Sequence, residues 1–138
     1  RDWPHLYLPV RDAARWHYRY LQHPTQSYVL LVLRQFLTGR PLAAMALREH
    51  PTHCEWLDYV GPQQGIELAV LAVREWVGAK GKPVTALVSD SVAALFSAQA
   101  ETVHPSQIQI PVNAPPGQTT APPWAGRFWF MGGDTDFL

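Results

Sequence analysis

The chain has 138 residues, a length that suits one domain, since about 68–70% of the unfolded surface can be buried at this size. Eleven Lys+Arg balance eleven Asp+Glu, which argues against a basic nucleic-acid footprint or a polybasic membrane surface. Charged residues make up 16% and hydrophobic residues 47%, so the chain is not intrinsically disordered and is expected to cover part of its surface against another body.

The chain opens on Arg1 rather than Met and shows no signal-peptide pattern, so it is expected to be a piece of something longer. Arg1 to Pro9 hold two prolines and read as an irregular lead-in. Arg11 to Leu21 reads as a short helix, stopped near His23 because Pro24 disfavours helical geometry in the residue before it. Ser27 to Phe36 is predicted as a strand. Its apolar run, Tyr28 to Leu33, falls far short of the ~20 residues that span a bilayer. Thr38-Gly39-Arg40-Pro41 supplies turn chemistry, and Leu42 to Glu49 returns as the second arm of a hairpin.

Pro51 ends that arm, and Cys54 to Val60 forms a third strand. Strict alternation predicts Cys54, Trp56, Asp58 and Val60 on one face, with Glu55, Leu57 and Tyr59 on the other. Cys54 is the only cysteine, so an internal disulfide and a four-thiolate zinc site are excluded. A reducing, cytoplasmic setting is the matching expectation. His50-Pro51-Thr52-His53-Cys54 gathers three potential ligands, but the spacing matches no full metal site, and a hairpin loop is expected there.

Gly61-Pro62-Gln63-Gln64-Gly65 leads into the strongest helix, from about Gln64 to Lys80. Ile66, Ala69, Val70, Val73, Trp76 and Val77 recur at helical spacing, while Leu68, Leu71 and Ala72 widen the apolar face beyond one side. Gly81 and Pro83 mark its end. Val84 to Val88 reads as a short strand, and Ser89-Asp90-Ser91 as a helix cap before Val92 to Gln99. Ile108 to Val112 is predicted as a strand that lies at an edge or carries a bulge, because it contains Pro111. Asn113 to Ala125 is a proline-rich loop, and Arg127 to Met131 a last strand before Gly132-Gly133-Asp134-Thr135-Asp136. The order predicts a single α/β (α+β) domain: a mixed, mostly antiparallel sheet with helices on both faces.

A hairpin leading to a strand, a tight Gly-containing turn and a long apolar helix resembles the GCN5-related N-acetyltransferase (GNAT) family, over about Tyr20 to Asp136. Trp16 to Pro24 and Phe128 to Asp136 are similar to stretches of long bacterial proteins whose C-terminal half is GNAT-like. The resemblance implies that acetyl-coenzyme A wedges beside a splayed strand, here Leu57-Asp58-Tyr59-Val60, with its pyrophosphate on N–H groups at the start of the long helix. The coenzyme-binding residues would then be Tyr59, Val60, Gln63, Gln64, Gly65 and Ile66. The turn departs from the family pattern in lacking an Arg and in placing Glu67 near a small-residue position, and Phe96 stands where many members carry a Tyr acid.

Asp58 is the candidate general base for an incoming small-molecule or peptide amine, with a buried structural carboxylate as the alternative. Two functions follow from the resemblance. One is an N-acetyltransferase using acetyl-coenzyme A. The other is a non-catalytic half-domain that pairs with a missing N-terminal domain, with a second copy or with a partner. The aromatics Trp124, Phe128, Trp129 and Phe130 come with no basic patch, so no nucleic-acid partner is expected.

Overall fold

The computed structural model describes residues 3, 5–97, 100, 102–106, 108, 117, 120 and 125–134. Its frame is a four-stranded sheet in the order β1-β2-β3-β4, formed by Val29–Arg34, Pro41–Glu49, Cys54–Val60 and Val84–Ala86. The first three strands are antiparallel, and β4 lies parallel to β3. The sheet is therefore mixed and mostly antiparallel, with helical segments on both faces, as the pattern predicts.

Alternation along β1 and β2 sorts two cores. Val29, Leu31, Leu33, Ala43, Met45 and Leu47 point to the face covered by α2 (Ile66–Gly78) and α3 (Asp90–Ser97). Tyr28, Leu30, Ala44 and Ala46 point to the other, where Trp16 and Tyr20 pack. That second face is covered by one α-helical turn, α1 (Ala13–Trp16), continued by a π-helical turn over His17–Leu21. The helix expected over Arg11 to Leu21 is thus split. Asp12 caps it by accepting the Arg15 N–H, which sets its start at Ala13.

A bulge interrupts β3. Ala46 pairs with Asp58 and the next residue, Leu47, pairs with Trp56, so Leu57 has no opposite number. One extra residue reverses the phase of everything after it. Cys54, Trp56 and Tyr59 join the α2 core, while Leu57 and Val60 join the Trp16–Tyr20 core. The expected placement of Asp58 beside Cys54 and Trp56 is corrected accordingly: it faces Tyr20.

Helix α2 buries Ile66, Ala69, Val70, Val73 and Val77 along one stripe, and Gly81 at φ +65° turns the chain away from it. Leu68 and Leu71 remain 55% and 53% exposed, so the wider apolar face, expected from the sequence to be covered on more than one side, is open at these two residues. Strand β4 stops at Ala86, short of the expected Val88. The predicted last strand is reduced to isolated bridges, Tyr7 with Phe128 and Val88 with Met131. Most of the expected Ile108 to Val112 strand and Asn113 to Ala125 loop, and Gln99 of the second predicted helix, lie outside the described residues. Among the described residues no helix is long and apolar enough to cross a membrane.

Candidate functional site

The resemblance directs attention to the place where β3 and β4 part. The ladder between them runs only from Cys54↔Val84 to Trp56↔Ala86. Beyond it, the segment Phe128 to Asp134 occupies the gap. On the β4 side the Gly132 N–H donates to the Leu87 carbonyl at 3.0 Å and the Ser89 N–H to the Phe130 carbonyl at 2.9 Å. On the β3 side, a Cβ on Gly133 would stand 2.8 Å from the Leu57 carbonyl oxygen, so only glycine fits.

Aromatic rings complete the filling. Trp129, 1% exposed, stacks on Tyr59 with centroids 5.8 Å apart and meets Trp3 edge-on at 4.1 Å. Trp3 is held in turn by its indole N–H, which donates to the Gly61 carbonyl at 3.0 Å. Tyr59 reaches under the β3–α2 turn and donates to the Pro62 carbonyl at 2.8 Å. Burial pushes its hydroxyl up to about 12. A Cβ on Gly61 or on Gly65 would lie 2.6 Å from that oxygen, so both glycines answer to a side chain passing beneath the turn.

The turn residues expected to hold a pyrophosphate are largely engaged with one another. Gln63–Gly65 forms a single 3-10 turn. The Gly65 N–H donates to the Pro62 carbonyl at 2.9 Å and the Ile66 N–H to the Gln63 carbonyl. Ile66 is buried in the core, Gln64 is exposed, and Gln63, Gly65 and Val60 are half-buried. Glu67 is exposed and does not fill the gap. Phe96, half-buried, packs edge-on against Trp56 at 5.2 Å on the flank of the core.

Asp58 is the centre of a buried ionic cluster. Its Oδ1 accepts from Arg11 Nε at 2.6 Å and from the Tyr59 N–H at 2.9 Å, and its Oδ2 accepts from the Tyr20 hydroxyl at 3.2 Å. Arg11 Nη2 reaches on to Asp134 Oδ2, which also accepts the Met131 N–H at 3.0 Å. Arg15 approaches Asp134 Oδ1 at 3.6 Å. Burial raises the Asp134 carboxyl above its ordinary value despite Arg11 beside it. It also raises the Tyr20 hydroxyl, helped by the negative charge of Asp58. A carboxylate with three donors on it, one of them a guanidinium, is a structural anchor before it is a base.

Sequence reasoning reached Asp58 but missed Arg11, Tyr20 and Asp134. Their separations along the chain carry no periodic signal. The one available cue was the Gly-Asp-x-Asp ending, which holds Asp134.

A second polar group sits further along the same face of β2 and β3. Glu55 Oε2 accepts from Arg48 Nε at 2.8 Å and Nη2 at 2.5 Å, and lies 2.7 Å from His50 Nε2. Burial opposes ionisation of Glu55, but His50 and Arg48 outweigh it and hold the carboxyl below its ordinary value. Glu55 also lines a cavity of about 180 Å³ with Trp56, Leu57, Thr85 and Gly132. Comparison with known protein families, curated proteins and solved structures finds no match to this chain.

Proposed function

We propose that the chain is a non-catalytic GNAT-like half-domain that acts by pairing with a second copy of itself. The observation that carries this reading is the filling of the gap between β3 and β4 by Trp3, Tyr59 and Trp129. In the family it resembles, that gap receives the coenzyme. The ties on Asp58 support the same reading, since the carboxylate and the neighbouring Tyr59 N–H satisfy each other instead of a substrate. The pairing surface is the outer side of α2 beside the edge strand β1. There Leu68 and Leu71 are half-exposed, and Leu31, Leu33, Ala72 and Trp76 line an open groove of about 420 Å³. A reducing, cytoplasmic setting belongs to the same proposal, on the strength of the single buried thiol of Cys54.

Sedimentation velocity over a wide range of protein concentration tests the pairing. The proposal expects concentration-dependent association that Leu68→Lys with Leu71→Lys suppresses. A chain that stays monomeric at the highest concentration, with or without those changes, contradicts it.

A second reading is N-acetyl transfer from acetyl-coenzyme A to a small-molecule or peptide amine. It is favoured by the parting of β3 and β4 beside a bulge, directly before the N-terminus of α2. It requires the three rings to move aside and Asp58 to release the Tyr59 N–H to the oxyanion. It expects micromolar binding of acetyl-coenzyme A by the unaltered chain.

A further inference from the structure

The hairpin between β2 and β3 places two cross-strand pairs side by side on the face that carries Asp58. Arg48 pairs with Glu55 in the ladder, and Glu49 with Cys54 follows. One step further the His50 N–H donates to the His53 carbonyl at 2.8 Å. Alternation then returns His50 and His53 to the face of Arg48 and Glu55. The two imidazoles stack at 4.4 Å with 7° between their planes. One ligand atom from each of His50, His53 and Glu55 lies within 4.8 Å of the others, and all three residues are half-buried.

We infer that His50, His53 and Glu55 form a binding site for a borderline divalent transition-metal ion of the zinc class, with water completing the shell. Two imidazoles and one carboxylate are a donor set such an ion accepts, and solvent access leaves room for the water. Thr52 Oγ1 lies 3.2 Å from His53 Nδ1, which leaves Nε2 of that ring as its ligand atom. Arg48 donates twice to Glu55 Oε2 and from Nε to His50 Nε2 at 3.1 Å, so its guanidinium lies against two of the ligand atoms. An ion lies in the plane of each imidazole that binds it, and two stacked parallel rings share no plane. Loading therefore turns one ring out of the stack and displaces the Arg48 guanidinium from His50 Nε2 and Glu55 Oε2. Cys54 takes no part, because its pairing with Glu49 puts it on the opposite face, where it is buried.

Calorimetric titration of the tag-free chain with zinc chloride, paired with NMR of the imidazole C–H signals, tests the site. The expected result is one zinc per chain, with the His50 and His53 signals shifted and those of His5, His17, His23 and His104 unmoved. His53→Ala and Glu55→Gln are each expected to weaken binding at least about tenfold. His53→Ala lies in the connecting turn, and its unchanged thermal unfolding in the absence of zinc separates lost binding from lost folding. Absence of saturable zinc uptake overturns the inference. So does uptake that persists unweakened in the His50→Ala, His53→Ala double variant.

Discussion

Arg11 Nε and Asp58 Oδ1 lie 2.6 Å apart with both side chains over nine-tenths buried, and this pair joins the lead-in segment to the bulge of β3. Breaking a buried pair from one side leaves a charge without a counter-charge, which costs about 3–5 kcal/mol. Asp58→Ala also orphans the Tyr59 N–H and the Tyr20 hydroxyl. Urea denaturation is expected to show a loss of about 3–5 kcal/mol for this variant. Arg11→Met in the same background should cost less than its single effect, because the uncompensated guanidinium is gone. A loss below about 1 kcal/mol for Asp58→Ala would place the carboxylate outside the structural machinery and favour a catalytic role.

Trp129 fills the gap, yet its indole N–H has no described partner. The ring's worth is therefore its packing. Trp129→Ala is expected to lose about 3–5 kcal/mol by cavity formation. Trp129→Phe should lose clearly less, since it keeps an aromatic on Tyr59 and removes a buried donor without a partner. Thermal unfolding of the two variants ranks them, and equal losses would point to an unseen partner for the indole.

Gly65 and the Tyr59 hydroxyl compete for one space. Gly65→Ala is expected to destabilise by about 1–3 kcal/mol through overpacking. The same change in a Tyr59→Phe background should cost less, because the oxygen in the way is removed. A double-mutant cycle by urea denaturation reads the coupling, and additive effects would contradict the geometry.

Glu49 gives the chain a pH dependence of known sign. Hydrogen bonds from Lys82 and Lys80 hold its carboxyl down at about 2, against an ordinary 4.5. The folded-state value is depressed, so the stabilisation is present above pH 4.5 and is lost as the pH falls through about 2. Glu49→Gln should flatten the fall in Tm across that window and leave the curve above it parallel to the parent. Asp134, whose carboxyl is raised by burial, acts oppositely: its protonated form favours folding, and that contribution disappears as the pH rises.

The sequence makes the sheet legible because its signals are local. Cys54–Val60 falls where the β-rich run between Pro51 and Gly61 ends it, and α2 where five buried apolar residues recur at helical spacing. The bulge at Leu57 leaves no such mark, since a Leu-Asp-Tyr run reads the same with or without an extra residue. That single insertion moved Asp58 and Tyr59 to the opposite faces from those expected. The cluster of Arg11, Tyr20, Asp58 and Asp134 is a product of chain path, and residues so far apart meet only once the lead-in and the terminal turn have packed on β3. Ser89 and Ser91 show a related limit. Both suit a helix cap, yet their hydroxyls donate to the Phe128 carbonyl and fasten the terminal segment instead.

The closed gap between β3 and β4 is tested most directly by calorimetric titration with acetyl-coenzyme A, comparing the unaltered chain with Trp3→Ala. Trp3 is half-buried at the rim, and its removal opens the space beside Gly61 and Trp129. No heat of binding is expected from the unaltered chain at millimolar coenzyme. Saturable micromolar binding by the unaltered chain would contradict it and establish a working coenzyme cleft.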